Sequence, residues 1–295
     1  MKTSIIIPVY NDPEGLGVTV DSLLNQTATD YEVVIADNGS TDETAAVGRE
    51  FAQLDRVRHV VEEEVQSSYA ARNAGIEVAR GDILGFVDAD MWVETDYVES
   101  ITDKMTADDR DYMGCNVELV TDDGTIGRYR STTGFDVEKY VREKRFAPTC
   151  CVVTRKRVFD AVGLFDSRLR SNGDLEFGRR VHEAGFDLVF EPDITLYHPA
   201  RSTVGELIAQ STRIGWGRGE IRAYHGDRFS VQTTLNPRHY LPVNPIAFHE
   251  RVSGAYRSLT EFLLWYLLAC IQKWSIAGGY LRQTVSSPMD APDPR

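Results

Sequence analysis

Lysine, cysteine and long uninterrupted apolar runs are all scarce in these 295 residues. Six lysines stand against 26 arginines, and no basic tract is long enough to neutralise a row of phosphates. With a net charge of −13, the chain is excluded as an electrostatic binder of nucleic acid, because that affinity comes from phosphate neutralisation. The four cysteines, Cys115, Cys150, Cys151 and Cys270, form no Cys-x-x-Cys and have no histidines at metal-ligand spacing. Neither a zinc site nor a disulfide framework is therefore expected, and reduced core thiols are. No secretory leader is read at the N-terminus, where Lys2 and a short apolar stretch run into Pro8, so a cytoplasmic location is expected. The 42% of hydrophobic residues suffices for one large domain.

Alternating signals place the chain in the α/β class. Residues 4–9 form a β-branched run ended by Pro8 and the Asn11-Asp12-Pro13 turn, with a helical stretch after it. Further strands are expected near 31–36, 57–61 and 82–87. Helices are expected near 41–54, where Ser40 or Thr41 can cap, and near 67–79. Such βαβ units imply a mostly parallel sheet flanked by helices.

The strand at 82–87 ends in Asp88-Ala89-Asp90. Alternation along an extended chain would point Asp88 and Asp90 the same way at the strand's carboxyl end, where open α/β sheets bind ligands. Two such acids suit Mg²⁺ or Mn²⁺ on a diphosphate. Asp109-Arg110-Asp111 has the same spacing without an apolar strand before it and reads as a solvated turn.

Three further segments accompany the acidic pair: Thr3 to Asn11, Tyr31 to Asp42 ending Asp37-Asn38-Gly39-Ser40-Thr41-Asp42, and Ala71-Arg72-Asn73-Ala74-Gly75. In this order the four resemble the family 2 glycosyltransferases with a GT-A fold, over about residues 1–225. The resemblance implies a Rossmann-like sheet and an inverting transfer from a nucleotide-sugar, UDP first, with GDP or dTDP as alternatives. It further implies that Pro8, Val9 and Tyr10 line the nucleotide pocket, that Asp90 holds the metal and that Asp88 meets ribose or metal-bound water. Asp37 can accept N–H groups of the base or merely cap a helix. Arg72 can bind the diphosphate or pack near the base.

Residues 170–186 look like the family's catalytic-base segment. Asp174 is the candidate base for the acceptor hydroxyl, with Glu176 as competitor and a plain helix cap as the structural alternative. The family more often has a second acid where this chain has Gly173. His198, ending an apolar strand, is a candidate further metal ligand or a structural histidine. Arg213, Arg218, Arg222 and Arg228 recur across Ile214-Gly215-Trp216-Gly217-Arg218-Gly219, either meeting phosphate or lining a solvated helix face.

The expected organisation is a catalytic domain over 1–225, with the nucleotide-sugar side in about 1–115 and the acceptor side in about 116–225. A Pro-interrupted connection and an apolar helix over 226–284 follow, then a disordered tail from about 285. The run Phe262 to Ile271 is shorter than the roughly 20 residues that span a bilayer. It reads as a helix lying in a membrane interface, or packed on protein, and suits a lipid-linked or cell-surface glycan acceptor. A scaffold that binds nucleotide-sugar without turnover, favoured by Gly173, and a nucleotidyltransferase are the competing functions.

Overall fold

A computed structural model describes residues 2–121, 123–229 and 237–286. Its strands are β1 (Thr3–Val9), β2 (Tyr31–Asp37), β3 (Val57–Val61), β4 (Ile83–Phe86), β5 (Trp92–Val93), β6 (Tyr112–Val120), β7 (Val152–Arg155) and β8 (Leu188–Pro199). Its helices are α1 (Pro13–Leu24), α2 (Thr44–Phe51), α3 (Ser68–Val78), α4 (Tyr97–Ala107), α5 (Thr125–Thr133), α6 (Val137–Lys139), α7 (Lys156–Val162), α8 (Gly173–Glu183), α9 (Val204–His225), α10 (Pro245–Val252) and α11 (Leu259–Val285).

One sheet carries the order β3-β2-β1-β4-β7-β6-β8-β5. Its first four strands are parallel and are connected through α1, α2 and α3. β7 then joins β4 antiparallel, β6 joins β7 antiparallel, and β5 pairs antiparallel with β8. β1 and β2 are buried along their whole length, which is why they read as continuous apolar runs and not as alternating ones. The chain winds outward from β1 to β3 and then crosses to β4 on the other side of β1. A crevice opens at the carboxyl ends of such a pair of strands, and both the first-strand motif and the acidic pair end there.

Local chemistry sets the helix starts. The Asp12 carboxylate accepts from the Gly15 N–H at 2.9 Å, and Pro13 opens α1. Ser67 caps α3 by accepting from the Tyr69 N–H. At α2 the acceptor is Asp42, bonded to the Thr44 N–H at 2.9 Å, and not the expected Ser40 or Thr41.

The chain divides into two compact units: one of Met1–Glu118, Asp136–Arg168 and Gly173–His198, the other of Leu119–Phe135, Leu169–Asn172 and the residues from Pro199 onward. The first holds most of the sheet. In the second, α9 and α11 pack at backbone contact. A Cβ on Gly215 would lie 1.9 Å from the Ile276 carbonyl oxygen, and one on Gly279 would lie 2.0 Å from that of Thr212. The glycine-rich stretch of α9 is thus a helix-crossing surface. Among its arginines, Arg222 donates to the Tyr280 hydroxyl at 2.9 Å. Tyr129, Leu207, Phe248, Val252, Trp265 and Leu268 form this unit's core, and Trp265 donates to the Thr125 carbonyl. Pro245 opens α10 instead of prolonging an extended connection. No described helix is long and apolar enough to cross a membrane. Val285 and Ser286 close α11, and residues 287–295 of the expected tail lie outside the described residues.

The crossing gives a paired prediction. A Cβ on Gly278 would meet nothing within 4 Å, whereas one on Gly279 meets backbone. Gly278→Ala is expected to leave stability unchanged or raise it by up to about 1 kcal/mol, and Gly279→Ala to lower it by about 1–3 kcal/mol, read by urea denaturation.

Candidate active site

β4 ends at Phe86, and Val87 continues its line by donating to the Ile6 carbonyl at 3.1 Å. The next three residues are a turn and not an extended segment, closed by the Met91 N–H on the Asp88 carbonyl at 3.2 Å. Strand alternation therefore does not orient Asp88 and Asp90. Thr19 of α1 does so instead, its hydroxyl accepting from the Asp90 N–H and donating to the Met91 carbonyl. Asp90 itself has φ +99°, a conformation that costs of order 1–3 kcal/mol in a residue with a side chain and gathers at functional sites.

The two acids meet different partners. Asp88 Oδ1 accepts from Arg72 Nη2 at 2.5 Å. Arg72 is buried on α3, its Nη1 donates to the Ser68 carbonyl, and its guanidinium lies 5.6 Å from the centre of the Tyr69 ring. Its buried Nε finds no hydrogen-bond acceptor among the described residues. Asp90 Oδ1 lies 3.7 Å from His198 Nε2. The β5–β8 register explains that approach: Trp92 pairs with Tyr197 and Val93 with Leu196, so the next step brings His198 to the turn. The stacked Trp92 and Tyr197 rings, 5.8 Å apart, hold the pairing.

Asp174 lies in the first turn of α8, where the helix dipole favours an acid. Its Oδ1 accepts from the Leu175 N–H at 2.8 Å. Burial pushes its pKa up to about 6; Arg72 works against that shift and Asp88 adds to it. The Tyr69 hydroxyl accepts from the Gly173 N–H at 2.8 Å and faces the Asp174 N–H at 3.4 Å. Tyr69 also accounts for Gly173. A Cβ there would stand 2.6 Å from the ring, so the neighbouring acid usual in the family has no room. Glu176 is fully occupied, buried and bonded through both oxygens to Arg180.

The remaining expected residues border this cluster. Pro8 and Val9 are buried at the end of β1, whereas Tyr10 is 48% exposed just beyond it. Asp37 closes β2 with its Oδ1 on the Ser40 N–H at 2.9 Å. Its Oδ2, 3.6 Å from His59 Nε2, has no hydrogen-bond partner among the described residues. Desolvation lowers the pKa of His59, with Asp37 opposing. Tyr69, Thr19 and His59 escaped the reading of the sequence. Only Tyr69 left a trace, three residues before Arg72 and so on the same helix face.

The donor set fits a divalent cation. No group of three or more His, Cys, Asp or Glu among the described residues can enclose a metal. A carboxylate and an imidazole brought together at a strained turn, beside a buried arginine with a spare donor, match a site completed by substrate phosphates and water.

Residues 4–163 match the sequence profile of glycosyl transferase family 2. The chain belongs to that family. The family 2 chain is 35% identical over 234 residues to glycosyltransferase AglE of Haloferax volcanii, a match covering 78% of this chain and 76% of the relative. In fold it is similar to the mannosyltransferase PcManGT of Pyrobaculum calidifontis, solved with GDP-Man and Mn²⁺ (TM-score 0.64, 16% identity, 97% of this chain and 88% of that one). It is also similar to S. aureus TarS 1–349 with UDP-GlcNAc (TM-score 0.57, 15% identity, 96% and 92%). The expected GT-A α/β fold and glycosyltransferase membership are thus both found.

The steric pairing in this family 2 site is open to a double-mutant cycle. Gly173→Ala is expected to lower stability by about 1–3 kcal/mol in the wild-type background and by at least about 1 kcal/mol less when Tyr69 is also Ala, read by thermal and urea unfolding.

Proposed function

We propose that this glycosyltransferase moves a sugar from a nucleoside-diphosphate donor to an acceptor hydroxyl with inversion, and that Asp174 is its general base. The observation that carries the reading is the placement of the Asp174 carboxyl in the first turn of α8, bonded to the Leu175 N–H, where burial raises its pKa to about 6. A base in that range is ionised at neutral pH and still takes a proton well. Asp174 accepts the acceptor's hydroxyl proton as that oxygen bonds to the anomeric carbon, and the carbon–oxygen bond to the diphosphate breaks with its electron pair on the leaving phosphate oxygen. Arg72, with its unused buried Nε, is assigned to the diphosphate. Pro8, Val9, Tyr10, Asp37, Asp88 and Ala89 are assigned to the nucleotide-sugar. Asp90 and His198 would hold Mn²⁺ or Mg²⁺, which when bound neutralises charge on the departing diphosphate. The complexes of PcManGT with GDP-Man and of TarS with UDP-GlcNAc support a nucleotide-sugar here but leave UDP and GDP both in play. The apolar helix α11 favours a glycan or lipid-linked acceptor.

The scaffold reading loses its motive, since Gly173 has a steric reason in Tyr69 and the desolvated carboxyl has none in a purely binding protein. A nucleotidyltransferase would have no use for Asp174 at the start of α8.

Asp174→Asn is expected to lower transfer about 10²–10⁴-fold while donor affinity changes less than about threefold. Unchanged transfer would remove the assignment. In the wild type, kcat/KM should rise with pH through an apparent value near 6. The folded carboxyl binds its proton more tightly than the unfolded one, so the contribution of Asp174 to stability is full below the ordinary carboxylate range and is lost as pH rises through about 6. Asp174→Asn should therefore raise stability at pH 8 by up to about 3 kcal/mol, and by little at pH 4.

Asp90→Asn and His198→Ala should each weaken Mn²⁺-dependent donor binding at least about tenfold by calorimetry, with metal-free binding little altered. Equal losses with and without metal would assign both residues to the sugar instead.

A further inference from the structure

The side of α11 away from α9 carries large exposed apolar side chains, and the segment before α10 meets it only around Trp274. Leu263, Leu267, Trp274, Leu281 and Val285 are 55%, 51%, 42%, 36% and 83% exposed. At about 100° per residue they fall within a strip about 40° wide and about 33 Å long. Leu264, 47% exposed, borders it. The segment before α10 adds to the patch: Trp274 Nε1 donates to the Tyr240 carbonyl at 3.0 Å, next to Leu241, which is 58% exposed. A row of exposed apolar side chains on one helix side, with Cys270 and Ala277 buried beside it, marks a contact surface and not ordinary scatter.

Charge decides what the strip meets. From Phe262 to Val285 the helix carries Lys273 and Arg282 and no acid. By helical periodicity these two lie about 80–100° to either side of the strip's centre. Lys273 Nζ is 3.5 Å from the Pro242 carbonyl and the Arg282 guanidinium 5.7 Å from the centre of the Trp216 ring, so both stems lie along apolar groups at the rim, from which long basic side chains reach headgroups. The wider sequence is just as uneven. The second unit has 14 Lys and Arg against nine Asp and Glu, a net of +5, whereas the first has 18 against 36, a net of −18. Two copies pairing through this face about a two-fold axis would set +5 against +5, with lysine and arginine rimming both sides of an apolar seam. A negatively charged lipid surface meets both features at once.

We propose that the exposed strip of α11 docks in the interface of an anionic lipid bilayer, with its leucines and Trp274 at the acyl boundary and Lys273 and Arg282 at the headgroups. This requires nothing of Asp174 or the donor, so it stands or falls separately from the reaction.

The test is co-sedimentation of the full chain with vesicles of phosphatidylcholine alone and of phosphatidylcholine with phosphatidylglycerol, together with light scattering of the protein alone. The expected result is a monomer that binds the anionic vesicles about tenfold or more tightly than the neutral ones, and less tightly as salt is raised. Leu263→Glu with Leu267→Glu should abolish binding with the circular dichroism and Tm unchanged. Lys273→Gln with Arg282→Gln should remove the preference for anionic vesicles and spare the apolar strip. No binding to either vesicle, equal binding to both, or a wild-type dimer that the leucine substitutions dissociate would each overturn the proposal.

Discussion

A buried guanidinium joined to a carboxylate is the interaction on which the site depends. Arg72 is only 3% exposed, and a cation so placed is tolerable only when paired. Asp88 pairs with it, so the first acid after β4 is tied to the face of α3. The same charge acts on Asp174, holding down part of the rise that burial imposes on that carboxyl. Tyr69 completes the connection, with its ring beside the guanidinium and its hydroxyl on the first backbone N–H of α8. The end of β4, the buried face of α3 and the start of α8 are thereby one electrostatic unit. Removing Arg72 would take away the charge that lowers the Asp174 pKa and leave that of Asp88, which raises it.

That unit illustrates how a site differs from the scaffold beneath it. β1, β2 and the caps of α1 and α3 agree with local propensity throughout. At the site the rules are broken in several places close together: Asp90 holds φ +99°, Asp174 is an acid in a desolvated environment, and Arg72 keeps an unsatisfied buried donor. Each is destabilising by itself, and such breaches cluster where binding energy and chemistry later offset them.

Much of this was legible in the sequence, for identifiable reasons. The parallel half of the sheet announced itself because strands buried on both faces are long apolar runs, and the motifs sat where those runs stop. What stayed hidden depended on contacts between distant segments. Nothing local says that Asp88-Ala89-Asp90 is a turn clamped by Thr19, since the clamp lies 71 residues earlier than Asp90. His198 was a candidate by position alone, and only the β5–β8 register explains why it reaches Asp90. Gly173 looked like a defect until the Tyr69 ring was found in the space a side chain would fill. The arginines of α9 were read as meeting phosphate or lining a solvated face, whereas the glycines among them admit a neighbouring helix, a contact that nothing local announces. Helix α11 read as either interfacial or packed, and its buried Trp265 and exposed Leu263 show that its two sides differ.

That burial, only partly offset by Arg72, prepares Asp174 as a base is tested most directly by titrating that carboxyl itself. Selective ¹³C labelling of aspartate, with the Asp174 signal assigned by its loss in Asp174→Asn, lets the carboxyl carbon be followed by NMR as pH is varied in the ligand-free protein. A midpoint near 6 is expected for Asp174. A midpoint in the ordinary aspartate range, near 3.8, would contradict it.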